Sequence, residues 1–396
     1  MSLAAPAIDR PRPTWLALDK LGVLVAVAAG IGIALPFALF RANRIVPGEA
    51  MGLFAALPLH LALLLVATLI GGFAAALLRW PAHLKLAVGL VVVGMLFVLA
   101  GLSASHLTPD GDSFARVSPG AGFWVLAFAF ALLVTDALTR LALRPWQRVA
   151  MLLAVAAAMA LLLWSGLWND LSMLREYANR AQSFWSEAQT HLGLAFGSVA
   201  IATLVGVPLG MVCYKFAALR ASVLNLLNIV QTIPSIALFG LLIAPLAWVA
   251  AHVPGAKAIG ISGIGATPAL VALFAYSLLP IVANTVVGLV GVSPAAIDAA
   301  RGMGMTRWQR LLSVELPLAF PVILTGIRIV LVQNIGLTTI AALVGGGGFG
   351  VFVFQGIGQT AMDLVLLGAV PTVALAFAAA VVLDALVDMT ARGTRT

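Results

Sequence analysis

The sequence predicts an all-α polytopic membrane protein with about ten transmembrane helices. Three observations support this fold class: 62% of the 396 residues are hydrophobic, only 9% are charged, and long apolar runs recur along the whole chain. A helix needs about 20 apolar residues to cross a bilayer, so the chain has room for many spans. The net charge of +8 does not indicate nucleic-acid binding, because the basic residues flank the apolar runs and form no basic face.

Ten apolar runs are long enough to be spans. Basic residues precede the first run, as in a signal peptide, but no small-residue cleavage site clearly closes it, so an uncleaved first span is expected. The predicted spans cover residues 21–40, 51–78, 84–103, 121–141, 149–167, 192–213, 223–249, 268–292, 318–344 and 362–389.

The positions of Lys and Arg predict how the spans are oriented. With the N-terminus inside the cell, fifteen of the 22 basic residues lie in cytoplasmic segments, six lie in outer segments, and Arg328 lies within a span. Cytoplasmic loops of membrane proteins carry an excess of basic residues. Both termini and the polar segment 293–317 are therefore predicted to be cytoplasmic.

The chain divides into three predicted parts. Residues 1–168 form a five-span extension with little polar content. Residues 169–191 combine charged and aromatic side chains, which predicts a periplasmic amphipathic linker on the membrane surface. Residues 192–396 form a second five-span part that contains every recognisable motif, including the polar segment 293–317.

Segment 293–317 reads as two short helices. Ser293 is a good N-cap and Pro294 fits the first helical position. Gly302 or Gly304 can adopt the left-handed conformation that ends this first helix.

The second helix of this segment has its own start and stop signals. Thr306 and Gln309 have the spacing of a capping box, which predicts a new helix start. The helix is expected to run until Pro317 imposes a boundary. The segment is thus a helix, a turn and a helix.

This segment resembles the EAA loop of the membrane subunits of ATP-binding-cassette (ABC) importers, with the spacing intact. One departure is that Asp298 stands where the family usually has Glu, which keeps the charge but shortens the reach. In that family the loop is the coupling helix that docks on the cytoplasmic ATPase. The alternative is a plain capped connector. The residues that carry the resemblance are Asp298, Ala299, Ala300, Gly304, Val314, Leu316 and Pro317; the resemblance implies ATPase-coupling roles for Asp298, Ala299, Ala300, Arg301, Gly302, Gly304, Arg307 and Arg310.

The part from about residue 192 to 388 is similar to permeases of the osmoprotectant branch, which carry glycine betaine, choline and related compounds. The resemblance implies a type I, binding-protein-dependent permease subunit in the bacterial inner membrane. Its implied partners are cytoplasmic ABC ATPase subunits, a second permease subunit, identical or homologous, and a periplasmic solute-binding protein. The matching stretches are residues 231–235, 276–280, 284–285, 301–305, 315–318, 326–328 and 345–350.

The chain is not expected to be an enzyme or to bind a cofactor. None of its four lysines follows glycine as a P-loop requires, so ATP must be hydrolysed by a partner subunit. The five histidines have no metal-ligand spacing. The single cysteine, Cys213, excludes an internal disulfide.

Polar and helix-breaking residues within the apolar runs are candidates for a translocation path or gate. Unsatisfied polar groups are costly in hydrocarbon, so these side chains should face protein or water. For the amides and hydroxyl the alternative is hydrogen bonding between helices; for the arginine it is snorkelling. For two glycines of residues 345–350 a hinge near the outer gate competes with a plain tight turn. The candidates are Asn228, Gln231, Thr232, Pro234, Asn284, Arg328, Gly346 and Gly347.

The competing functional prediction is an ion-coupled secondary transporter of small polar solutes. Such a protein would be expected to carry acidic residues deep within its spans. Asp136, Asp384 and Asp388 lie towards the ends of predicted spans, and Asp363 begins one. The importer permease is therefore favoured.

Overall fold

The computed structural model describes residues 18–43, 46–109, 112 and 114–393. The predicted cytoplasmic placement of the two chain termini falls outside the described residues. Packing divides the chain into two compact units: Met1–Arg144 with Ala156–Arg175, and Pro145–Val155 with Glu176–Thr396.

The first unit is a helical bundle with one small sheet. The sheet has the antiparallel order β2-β1-β3, with Leu39 of β1 opposite Ala50 on one side and Ser118 on the other. The helix α6 contributes residues 145–155 to the second unit. The elements are α1 (Lys20–Ala34), β1 (Ala38–Arg41), β2 (Glu49–Met51), α2 (Leu53–Ala56), α3 (Leu59–Leu77), α4 (Ala82–Leu107), β3 (Arg116–Pro119), α5 (Ala121–Leu141) and α6 (Pro145–Trp164).

The first predicted span, residues 21–40, is longer than the helix that forms. Helix α1 stops at Ala34, and Leu35 has extended dihedral angles. The reason is Pro36, whose ring disfavours helical geometry in the residue before it. The last three residues of the predicted span, 38–40, lie in strand β1.

Close helix contacts in the first unit depend on glycine. A Cβ atom at Gly22 of α1 would lie 1.7 Å from the Ala76 carbonyl oxygen of α3, and one at Gly72 of α3 would lie 2.5 Å from the Phe130 ring of α5. Small residues allow helix backbones to approach in this way. Around these contacts the core is built from fully buried Val, Leu and Phe side chains.

A buried ion cluster joins three elements at the start of α1. Asp19, the N-cap of α1, lies 2.8 Å from Lys85 Nζ of α4 and 2.8 Å from Arg140 Nη2 of α5. Burial would raise the pKa of Asp19, but the hydrogen bond and charge of Lys85, the charge of Arg140 and the Leu21 N–H outweigh it, and the pKa is lowered. Asp19 is therefore ionised at neutral pH and compensates Lys85, which is 1% exposed.

The second unit is all helical among its described residues. In α7 the dihedral angles of Arg180 depart from helical values and mark a kink. The elements are α7 (Ser172–Lys215), which begins in the first unit, α8 (Ala217–Thr232), α9 (Ser235–Leu241), α10 (Ile243–His252), α11 (Ala266–Val290), α12 (Pro294–Gly302), α13 (Arg307–Arg310), a π-helical turn (Leu311–Glu315), α14 (Leu316–Ala341), a 3-10 turn (Ala342–Val344), α15 (Gly350–Gly358) and α16 (Met362–Gly393).

The number of spans confirms the predicted fold class. Over residues 18–393, apart from the short gaps in that range, nine helical stretches are long and apolar enough to cross a membrane. One of them, Ser235–His252, combines α9 and α10, and α1 is a shorter apolar helix. Two predicted segments have a different form. The span 223–249 is interrupted between Thr232 and Ser235, because Ile233 is extended before Pro234. Beyond the kink at Arg180, residues 181–191 of the predicted linker are continuous with the following span in α7.

Helices α7, α11, α14 and α16 form the centre of the second unit. Ala195 and Val199 of α7 pack with Ile281 of α11 and with Val330 and Ile335 of α14 in one buried cluster. Helix α14 also packs along α16. Because α14 follows directly on the polar segment 293–317, this segment is attached to the middle of the bundle.

Candidate functional site

The first helix of segment 293–317 forms as predicted. Ser293 Oγ accepts a hydrogen bond from the Ala296 N–H at 3.3 Å, and Pro294 lies in the first turn of α12. Gly302 is the last residue of the helix, and Gly304 adopts the left-handed conformation with φ +77°. Of the two predicted positions for the left-handed glycine, Gly304 is therefore the one used.

The second helix start is also confirmed. Thr306 Oγ1 accepts from the Gln309 N–H at 3.3 Å, and Gln309 Oε1 accepts from the Thr306 N–H at 2.9 Å. These reciprocal bonds form the capping box of α13. The turn between α12 and α13 is thus fixed by side chains on both sides.

The predicted helix boundary at Pro317 is wrong. The chain passes from α13 through the π-helical turn Leu311–Glu315 straight into α14, and Pro317 lies in the first turn of α14. The Leu316 N–H bonds back to the Leu311 carbonyl, five residues earlier. This wider turn accommodates a proline that would disrupt an ordinary helix interior, because proline has no N–H to donate.

One side of α12 is buried and the other is open. Ala300 is buried, whereas Ala299 and the ion pair between Asp298 Oδ1 and Arg301 Nη1, 3.1 Å apart, are exposed. Beyond the helix, Met303 is 69% exposed and lies in the turn towards Gly304. Among the predicted coupling residues, Ala300 is therefore buried and Arg310 half-buried, and the exposed ones are Asp298, Ala299, Arg301, Gly302, Gly304 and Arg307.

A pocket of 580 Å³ lies beside this surface. Arg310 pairs with Glu315, which is itself buried, and Lys215 Nζ lies 4.7 Å from the centre of the Trp308 ring. We call this cavity the basic pocket; its lining includes Lys215, Arg301, Arg307, Trp308, Arg310 and Glu315.

The predicted path residues of α8 and α11 have mostly structural partners. Gln231 Nε2 donates to the Tyr276 carbonyl of α11 at 2.8 Å. Thr232 Oγ1 donates to the Ile229 carbonyl, and Asn284 Nδ2 to the Pro280 carbonyl, each within its own helix.

The interruption between α8 and α9 is held in the same way. Tyr276 Oη donates to the Ile233 carbonyl, next to Pro234. Asn228 is exposed. Gln231 and Tyr276 thus join the broken span to α11, which matches the alternative of hydrogen bonding between helices for Gln231.

Arg328 has a carboxylate partner. Its guanidinium bonds to Asp384 of α16, and Asp384 Oδ2 lies 2.8 Å from Arg148 Nη1. Asp388 also pairs with Arg148, at 3.0 Å. The charge of Arg328 is therefore compensated where it lies, as expected for an arginine within a span.

The glycine-rich turn, residues 345–350, connects α14 to α15. Gly345, Gly347 and Gly348 have φ of +78°, +75° and +85°, values that only glycine adopts at little cost. A Cβ atom at Gly346 would lie 3.0 Å from both the Ala269 Cβ and the Ala341 carbonyl. The predicted close-approach turn is present; its role as a hinge stays a prediction.

Sequence reasoning missed the side chains that hold this turn. Glu187 Oε2 of α7 accepts from the Gly348 N–H at 2.6 Å, and His191 Nδ1 accepts from the Phe349 N–H at 3.3 Å. The only signal in the sequence is their spacing of four residues, which places them on one face of a helix. Their partners lie more than 150 residues away in the chain.

A polar bridge at the centre of the second unit was missed as well. Asn334 Nδ2 of α14 donates to Ser198 Oγ of α7 at 2.7 Å and to Ser277 Oγ of α11 at 2.8 Å. All three side chains are buried. The bridge joins three spans through one amide.

Comparisons with known proteins agree with this geometry. Residues 202–396 match the family described as binding-protein-dependent transport system inner membrane component, and residues 19–174 match the N-terminal domain of the ABC transporter permease YehY. The osmoprotectant import permease protein OsmW of Salmonella typhimurium is 45% identical over 179 residues, which cover 45% of this chain and 78% of that protein.

Two permeases of Bacillus subtilis are also similar. The glycine betaine/carnitine/choline transport system permease protein OpuCB is 36% identical, over 51% of this chain and 84% of that protein. The choline transport system permease protein OpuBB is 37% identical, over 47% and 78%.

Proposed function

The chain belongs to the family of binding-protein-dependent transport system inner membrane components and is the permease of an ABC importer, and we propose that it carries an osmoprotectant such as glycine betaine or choline. The relatives that it matches are named for osmoprotectant, glycine betaine, carnitine and choline transport. These names support the proposed solute class. The exposed side of the doubly capped segment 293–317 supports the second part of the proposal, that this permease docks on a separate ATPase subunit.

The assembly proposed around the chain follows from its family. Two cytoplasmic ATPase subunits hydrolyse ATP, a second permease subunit completes the path, and a periplasmic protein delivers the solute. Both termini and segment 293–317 face the cytoplasm of a bacterial inner membrane. Residues 1–168 act as an extension joined by residues 169–191, and residues 192–396 act as the permease core.

The docking surface is proposed to consist of the exposed side of α12 and the turn that follows. Asp298 and Arg301 offer a paired charge, and Met303 offers exposed apolar surface. Helix α12 has small side chains at Ala299, Ala300 and Gly302, so a partner can approach its backbone closely. Gly304 allows the tight turn that follows. Arg307 and Arg310 extend the surface along α13.

A movement of this docking surface would be transmitted directly to the membrane helix α14. Helix α13 passes into α14 through the π-helical turn, with no loop between them. The capping box fixes the start of α13. When the ATPases close on ATP, they therefore push on α14 itself and bias the permease pair towards an outward-facing state.

The path is proposed to lie among α8, α9, α11 and α14. Along it, Asn228, Thr232 and Asn284 contribute polar groups, Gln231 and Pro234 set the break between α8 and α9, and Arg328 fixes α14 against α16. Gly346 and Gly347 act as a hinge in the glycine-rich turn. Quaternary ammonium compounds are recognised by aromatic cages; selection of the solute is assigned here mainly to the binding protein.

Charge reversal at the docking surface tests the ATPase partnership. Asp298→Lys should abolish co-purification of the ATPase and ATP-dependent uptake, because the side chain is exposed and has no role in the fold beyond its pair with Arg301. Glu49→Lys, an equal reversal at an exposed site of the first unit, is the control. Normal co-purification and uptake with Asp298→Lys would refute the docking role.

Vesicle transport separates the importer from an ion-coupled transporter. The reconstituted complex should take up radiolabelled glycine betaine only with trapped ATP, and an uncoupler should have no effect. Uptake that ignores ATP and collapses with the uncoupler would contradict the proposal.

A further inference from the structure

We propose that the basic pocket binds an anionic phosphate group, that of a phospholipid headgroup at the membrane surface. The inference rests on the proposed function, because Arg301, Arg307 and Arg310 of the docking surface also line the pocket. It adds a lipid ligand to the cavity beside that surface. It rests on the charges of the pocket, its volume and its position at the ends of two spans.

The charges of the pocket are not balanced. Four cationic side chains line it, and Glu315 is its one carboxylate. Arg310 forms an ion pair with Glu315, and Arg301 forms one with Asp298. Lys215 and Arg307 have no carboxylate partner among the residues that the structure describes, so two positive charges face the cavity uncompensated.

The pocket lies where apolar helices meet water. Lys215 is the last residue of α7, and the π-helical turn that forms another wall leads directly into α14. Exposed apolar side chains surround this level: Phe216 follows Lys215, and Leu312 and Phe320 lie just before and within α14. Because α7 and α14 lie in helices long and apolar enough to cross a membrane, cations at their ends are expected near the membrane surface, where lipid phosphates lie.

The geometry suits a phosphate better than a simple carboxylate. The cavity has a volume of 580 Å³, which is ample for a headgroup. Arginine presents several N–H donors in a fixed fork and lysine contributes a point charge, and together they can surround the oxygens of a phosphate. Basic pockets between membrane helices are a known mode of anionic lipid binding.

Lipid binding by the purified full chain, without ATPase, tests the proposal. Native mass spectrometry would compare phosphatidylglycerol with phosphatidylcholine at equal concentration. Lys215→Gln with Arg307→Gln should weaken phosphatidylglycerol binding about thirtyfold, because each cation near an anionic surface contributes roughly a factor of five. The control, Lys20→Gln with Lys257→Gln, removes the same two charges at exposed sites elsewhere and should bind as the wild type does.

The outcomes separate the possible ligands. A selective loss of phosphatidylglycerol binding in the variant supports a lipid headgroup. Equal binding of phosphatidylglycerol and phosphatidylcholine by the wild type, together with binding of inorganic phosphate, indicates a soluble phosphate and overturns the proposal. Unchanged lipid binding in the Lys215→Gln, Arg307→Gln variant overturns the proposal. If that variant instead loses only ATPase co-purification, the pocket receives an acidic segment of the partner protein and the proposal is equally overturned.

The four substituted residues, Lys20, Lys215, Lys257 and Arg307, are exposed, so both double variants should fold. Unfolding temperatures equal to that of the wild type would verify this. Because the ATPase is absent from the binding measurement, a failed docking role and a failed lipid site give different results.

Discussion

Replacing Gly350 with alanine should destabilise the second unit through a backbone clash. A Cβ atom at this position would lie 1.9 Å from the Thr339 carbonyl oxygen of α14, whereas real Cβ contacts do not fall below 3.0 Å. The backbone must therefore move by about 1.1 Å. Overpacking costs about 1–3 kcal/mol, and the upper end applies because the obstacle is a helix carbonyl.

A helical alanine recovers part of this cost. Gly350 begins α15, and Ala is favoured over Gly in a helix by about 1 kcal/mol. The net loss is then about 2 kcal/mol, which corresponds to a fall of about 4–8 °C in the unfolding temperature for a unit of this size. Thermal unfolding of the purified chain in detergent measures it.

Gly336→Ala is the matched control. Gly336 lies in the middle of α14, and a Cβ atom there would meet no atom within 4 Å. This change should leave the unfolding temperature unchanged or raise it slightly. If Gly350→Ala unfolds at the wild-type temperature, or above Gly336→Ala, the close approach of α15 to α14 does not stabilise the unit and the reasoning is refuted.

Two further predictions concern the ion pairs. Asp384→Asn should lower the free energy of unfolding by about 2 kcal/mol. This is less than the 2.5–3.5 kcal/mol for an isolated arginine at a span centre, because Arg328 keeps an amide partner. Asp388→Asn, which leaves Arg328 paired, should cost less, and equal unfolding temperatures of the two variants would contradict the prediction. Asp19→Asn should cost about 3–5 kcal/mol at pH 7, because it leaves the buried charge of Lys85 unpaired. The folded-state pKa of Asp19 lies below its ordinary value of 3.8, so its contribution persists above pH 3.8 and is lost as pH falls through the lower folded-state value; a wild-type advantage that vanished between pH 7 and 5 would disprove it.

Helix caps and turns, which involve residues close together in the chain, could be predicted from the sequence. Hydrogen-bond and ion-pair partners that lie far apart in the chain could not. Ser293 and the Thr306 capping box involve residues three positions apart, so residue type and spacing suffice. The same holds for the left-handed Gly304. The partner of Arg328, in contrast, lies 56 residues away. Asp384 was predicted near a span end, and only the packing of α14 along α16 brings its carboxylate to the guanidinium.

The polar bridge shows the same limit. Asn334, Ser198 and Ser277 are unremarkable in sequence, since single polar residues occur in many spans. Their alignment depends on the depth and rotation of three helices, which periodicity does not define to within a hydrogen bond. Gln231 was identified as a polar residue within an apolar run, but its partner is a backbone carbonyl, and a carbonyl has no sequence signature.

The error at Pro317 bears on how the permease could be driven. A proline after a capped helix normally predicts a break, and a break would place a flexible joint between the docking surface and the bundle. The π-helical turn instead accommodates Pro317, which has no N–H to donate, and keeps the helix continuous from Arg307 to Ala341. Glu315, buried in that turn, is paired with Arg310. The turn is thus held by an ion pair as well as by its backbone, so displacement of α13 must move or bend α14.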